Sequence, residues 1–234
     1  MSDRLLNILK DIHLFISHGF NSLPLCIASC TLIIGLFTCN YAMLFFLCGF
    51  LVLTPLCSTV INMCAALSGS DNYKVSVSDV CGVYTDLSRA SSSEYGVVSN
   101  WLAMMLFFFG YVSTNAIRLI MKPPSDETKN EQIVNRKTHT YTAVVLCFIG
   151  LCLVLWHRYK SPCEIFHKIG GWGSGLIGFF AIIIYGGFGV GWYYLLSLTG
   201  EQRLSDLFGI ANRLLIPSAY ASGPTACIPN TDPN

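Results

Sequence analysis

Charge is what this sequence has least of: Asp, Glu, Lys and Arg make up 12% of its 234 residues, about half the usual share of a soluble domain. Hydrophobic residues reach 53% and mean hydropathy is +0.56. The few polar groups cannot cover a globule of this size. The long apolar runs lack Asp, Glu, Lys, Arg and His, as segments solvated by lipid do. Net charge is also missing, at +1, and no basic stripe with interleaved aromatics occurs. That sets nucleic-acid binding aside. A cleavable leader is not legible either. Asp3, Asp11, His13 and His18 interrupt the first apolar stretch, and no small-residue cleavage site closes it.

Cysteine is plentiful, with eleven residues, yet the pattern is no disulfide framework. Cys26, Cys30, Cys39, Cys48, Cys57, Cys64, Cys147 and Cys152 lie in apolar runs as small hydrophobes. Only Cys81, Cys163 and Cys227 fall in polar segments.

The pattern predicts an all-α, polytopic membrane protein of about five transmembrane helices, with amphipathic interfacial helices at both ends. Residues 1–22 form the first of these, with Leu5, Leu9, Ile12 and Ile16 on one face. The transmembrane domain covers 23–198, with spans near 23–39, 42–67, 97–121, 140–156 and 174–198. Residues 23–67 would be roughly 67 Å long as one helix, about twice a bilayer core, so they fold back at Asn40-Tyr41. Pro55 is expected to kink the second span. Val75, Val77, Val80 and Val83 suggest a short strand or hairpin in the polar loop 69–96. Trp172 and Trp192 frame the fifth span.

The remainder, 199–234, reads as an interfacial helix and tail. Thr199 and Gln202 form a capping box. Leu204, Leu207, Phe208, Leu214 and Leu215 supply an apolar docking face. Five spans put the two termini on opposite sides and divide Lys and Arg evenly, seven against seven. The cluster Arg118, Lys122, Lys129, Arg136 and Lys137 favours a cytoplasmic side for its loop.

Between their ends, the spans carry no ionisable group of the kind that proton relays, ion-coupled carriers and voltage sensors need. A passive channel lined by Asn62, Ser99, Asn100, Thr114 and Asn115 stays open as an alternative. The run Gly186-Gly187-Phe188-Gly189-Val190-Gly191 looks like a phosphate loop, but it sits inside an apolar helix. Its better reading is helix packing, because Gly171/Gly175 and Gly187/Gly191 have GxxxG spacing. His157, Cys163 and His167 fall short of the four ligands a structural zinc site wants. Ser88-Arg89 with Ser91-Ser92-Ser93 lacks the histidine a phosphatase requires, and the spans offer no Ser–His or His–Asp pair. The expectation is a structural membrane subunit that anchors or organises a larger assembly and is not an enzyme, with no cofactor and no metal; the passive channel ranks second and a membrane enzyme third. Its partners are the lipid bilayer and other protein subunits.

The C-terminal third, GWYYLLSL followed by RLSDLFGIANRLLIPSAYASGPTACIP, resembles the tails of integral membrane proteins of large eukaryotic DNA viruses. There a Gly-rich span precedes an amphipathic segment and a Cys-containing end. The resemblance covers about 60 residues, carries no catalytic motif, and transfers no functional residue. It implies a virion membrane or minor capsid component in a virion inner membrane, anchoring or organising a protein shell.

Overall fold

The computed structural model describes residues 19–67, 74–76, 93–95, 99–121, 130–159, 179–199 and 207. They form five helices joined in antiparallel succession. Helix α1 is Leu23–Phe37, α2 is Tyr41–Leu67, α3 is Asn100–Met121, α4 is Asn130–Tyr159 and α5 is Phe179–Leu198. Four contain stretches long and apolar enough to cross a membrane: Tyr41–Cys64, Asn100–Met121, Lys137–Arg158 and Phe179–Leu198. Helix α1 has 15 residues, about 22 Å, short of a ~30 Å bilayer core.

The turn between α1 and α2 is built from three residues. Cys39 adopts a left-handed φ of 50°. The amide of Asn40 donates to the Gly35 carbonyl at 3.0 Å and that of Cys39 to Leu36 at 3.4 Å, the two bonds of a Schellman cap. Asn40 then starts α2, its side chain accepting from the Ala42 amide at 3.0 Å. The chain therefore reverses where the sequence places the reversal, at Asn40.

Helix α2 is not uniform. Gly49–Leu53 is π-helical, and the Thr54 hydroxyl donates to the Gly49 carbonyl at 2.9 Å. Pro55 has no N–H to continue the ladder. The expected distortion thus takes the form of a wider turn just upstream of Pro55. A second π segment, Ile182–Gly186, lies in α5.

Between α2 and α3, Lys74–Ser76 (β1) pairs antiparallel with Ser93–Tyr95 (β2), matching Val75 with Glu94. Strand β2 lies against the last part of α2. Val77, Val80 and Val83 lie outside the described residues. Ser99 starts α3 by accepting the Leu102 amide at 3.2 Å.

Helix α3 is the hub. It packs on α2, α4 and α5 and touches α1, and most of its side chains are buried. The other helices each bury one stripe. In α4 that stripe is Thr140, Cys147, Gly150, Val154 and Arg158, near heptad spacing. In α5 it is Ala181, Tyr185, Gly189, Tyr193 and Leu196. The opposite faces carry exposed Phe148, Leu153, Trp156, Phe179, Phe180 and Leu195. That is an apolar exterior suited to lipid.

The fourth helix is longer than expected. The apolar span of α4 begins at Lys137, but the helix starts at Asn130. Its added turns are polar, contain no Pro or Gly, and include the helix formers Glu131, Gln132, Arg136 and Lys137.

Candidate functional site

Among the described residues, α3 and α5 make a backbone-to-backbone contact at two glycines. A Cβ built on Gly110 would collide with the Gly186 carbonyl oxygen, and it would lie 2.9 Å from the carbonyl carbon. A Cβ on Gly189 would strike the Phe107 carbonyl oxygen and come within 2.9 Å of the Tyr111 amide nitrogen. Both obstacles are backbone, so neither can swing aside. This is small-residue packing that brings two backbones together.

The expected packing pair, Gly187 and Gly191, does not meet a neighbouring helix among the described residues of this chain. Both are exposed, and a Cβ added at either meets nothing within 4 Å among the described residues. Gly187 lies roughly 200° around the helix from Gly189. Tyr185, Gly189 and Tyr193 bury more area on the inner face than a bare glycine pair could, and they set the helix rotation. Gly187 and Gly191 remain as a notch in an exposed apolar ridge, with Ile184 above and Leu195 below. Gly171 and Gly175 lie outside the described residues.

Around the α3–α5 seam, aromatic side chains tie three helices together. Tyr111 meets Phe46 with ring centroids 5.1 Å apart and Tyr193 at 5.5 Å, both edge-on. Phe107 meets Phe46 at 5.9 Å and Phe188 at 6.1 Å. Trp192 donates from Nε1 to the Phe45 carbonyl at 3.1 Å, linking α5 to α2 beside Gly49.

Leu207 is 4% exposed and belongs to the same core cluster as Tyr111, Val112, Tyr193 and Leu196. It lies only nine residues beyond the end of α5, so the chain returns to the bundle there. Leu204, Phe208, Leu214 and Leu215 lie outside the described residues. Thr199 closes α5, its hydroxyl donating to the Leu196 carbonyl at 2.6 Å, while Gln202, its expected capping partner, lies outside the described residues.

Polar groups collect at the two ends of the bundle. At the end carrying β1 and β2, Trp101 donates from Nε1 to the Asn21 carbonyl at 2.9 Å. The Arg158 guanidinium lies 4.0 Å over the Trp101 ring, and His157 stacks on Phe20 at 5.1 Å. At the opposite end, beside the Thr38–Asn40 turn, the Arg118 guanidinium lies 4.6 Å over Tyr194.

Of the polar residues that could line a channel, Asn62 is half-buried on α2. Ser99 caps its own helix, and Thr114 donates to the Gly110 carbonyl at 2.7 Å. Asn100 is exposed while Asn115 is enclosed, and they sit about 22 Å apart along α3. Among the described residues, no group of three or more His, Cys, Asp or Glu could hold a metal.

Comparison of the chain with protein-family profiles, with curated proteins and with solved structures finds no match.

Proposed function

We propose that this chain is a structural membrane subunit that anchors or organises a larger assembly. The observation that carries the reading is the outward notch at Gly187 and Gly191, where an added Cβ meets nothing within 4 Å. Small residues on a lipid-facing helix let a second backbone approach closely, and packing of that kind drives helix association in bilayers. The chain's own packing is already met by Gly110 and Gly189. The outer pair is thus left for another helix.

Two further features support the reading. The buried residues of the hub α3 include interlocking aromatics, with Phe107 and Tyr111 both against Phe46. The described spans hold their cations, Arg118, Lys137 and Arg158, within about a turn of their ends, away from the bilayer centre where coupled transport places them. Five crossings, the termini on opposite sides, and a virion inner membrane or minor capsid setting belong to the same proposal. The last rests on the C-terminal resemblance alone.

The test is extraction of the full chain from its native membrane in mild detergent, followed by size analysis and identification of what stays bound. A discrete complex of fixed composition is expected. A chain that elutes alone and conducts ions in liposomes would establish the channel instead.

A further inference from the structure

We propose that the bundle end formed by the Thr38–Asn40 turn and the last turns of α3 and α5 binds anionic lipid headgroups. The two ends treat their cations in opposite ways. Helices α1 to α5 carry four Lys or Arg among the described residues: Arg118, Arg136, Lys137 and Arg158. Arg158, at the strand end, is 1% exposed and folded over Trp101. Arg118 and Lys137, at the turn end, are both exposed. The sequence count of seven against seven hides this difference, because it weighs an enclosed guanidinium like a presented one.

The geometry suits a phosphate at the edge of a bilayer. The register of α3 on α4 is set by Arg158 over Trp101 and by Gly150 against Phe109. That register carries Lys137 and Tyr141, one turn apart on α4, to the end of α3 where Arg118 stands. The Arg118 guanidinium carbon lies 4.6 Å over the Tyr194 ring. A guanidinium carries five N–H donors, so one that lies over a ring still has donors to offer an oxyanion. Tyr41, Tyr141 and Tyr194 are all exposed at this level, where amphipathic rings mark the headgroup layer. Exposed Val145 and Leu146 follow within about a turn of Tyr141.

A ligand meeting both surfaces must therefore be an amphiphile, with its anionic group on Arg118 and Lys137 and its chains along α4. Only one acidic residue occurs on the described helices, Glu131, six residues or about 9 Å beyond Lys137. Nothing of opposite charge on those helices competes at the span edge. Juxtamembrane cations of this kind draw anionic lipid.

The inference rests on the membrane reading, and the two fail separately. A chain that does not co-sediment with vesicles after a high-salt wash defeats the membrane reading. The lipid proposal is tested on the detergent-solubilised full chain by thermal unfolding with phosphatidylserine or phosphatidylcholine. At low salt, phosphatidylserine is expected to raise Tm by roughly 4 °C more than phosphatidylcholine does. The gain should fall by more than half at about 0.5 M salt, where screening is strong. Lys137→Gln, at an exposed position, should remove about half of the gain, and adding Arg118→Gln should remove the rest. Equal effects of the two lipids would overturn the proposal, as would a gain that survives both substitutions. An equal gain from inorganic phosphate would also overturn it, by showing a free-anion site.

Discussion

Gly110 of α3 faces Gly186 of α5 so closely that a Cβ on Gly110 would sit 2.9 Å from the Gly186 carbonyl carbon. Backbone meets backbone there, and one methyl group has no room. Gly110→Ala is therefore expected to destabilise the isolated chain by about 1–3 kcal/mol, the usual cost of overpacking. Thermal or SDS unfolding in mixed micelles measures it. Wild-type stability in Gly110→Ala would mean that the two helices stand further apart.

The strand end rests on Trp101. Its indole N–H holds the Asn21 carbonyl, and its ring carries the Arg158 guanidinium. Trp101→Phe keeps an aromatic face but loses the donor, leaving a part-buried carbonyl and a weaker cation–π contact. A loss of about 1–3 kcal/mol follows. Unfolding curves that superimpose on those of the wild type would contradict it.

Much of this was legible in the residues. Asn40 is a turn signal between two apolar runs, and it caps α2. The aromatic and basic edges of the spans mark where helices near the interface. GxxxG spacing alone does not fix which face of a helix packs inward. Gly187 and Gly191 fit GxxxG, yet the inner face of α5 is the stripe Ala181, Tyr185, Gly189, Tyr193 and Leu196. That stripe recurs every three or four residues and was readable. Choosing it required weighing buried aromatic area against a glycine pair. The π turns were not legible, because they answer to packing: Gly49 sits under Phe107 and Trp192, both within 2.8 Å of an added Cβ. The inward return of Leu207 depends on its joining the core cluster of Tyr111, Val112, Tyr193 and Leu196, a long-range contact that no local pattern reveals.

Asn115 is 1% exposed, and neither its amide nitrogen nor its amide oxygen has a hydrogen-bond partner. Burying an amide without partners is costly. Asn115→Leu, close in volume, should raise stability by about 1–3 kcal/mol. A fall in unfolding midpoint would show that the amide has a partner in the protein at work, such as a bound water.

Cys39 holds the left-handed position of the α1–α2 turn at φ 50°, a conformation that disfavours a Cβ. Cys39→Gly should stabilise the turn by about 0.5–1 kcal/mol, after allowing for the greater freedom of glycine when unfolded. The unfolding midpoint reads it, and a decrease would mean that the contact of the thiol with the Leu36 carbonyl at 3.9 Å outweighs the backbone strain.

The most direct test compares two substitutions two residues apart. Gly189 faces α3 and Gly187 faces outward. Both are changed to Leu, and each full-length variant is assayed for unfolding midpoint and for retention in the complex extracted in mild detergent. Gly189→Leu is expected to lower the midpoint. Gly187→Leu is expected to keep the midpoint and lose the complex. A Gly187→Leu chain that keeps both its stability and its complex would show that the outer face meets only lipid, and it would contradict the assembly role.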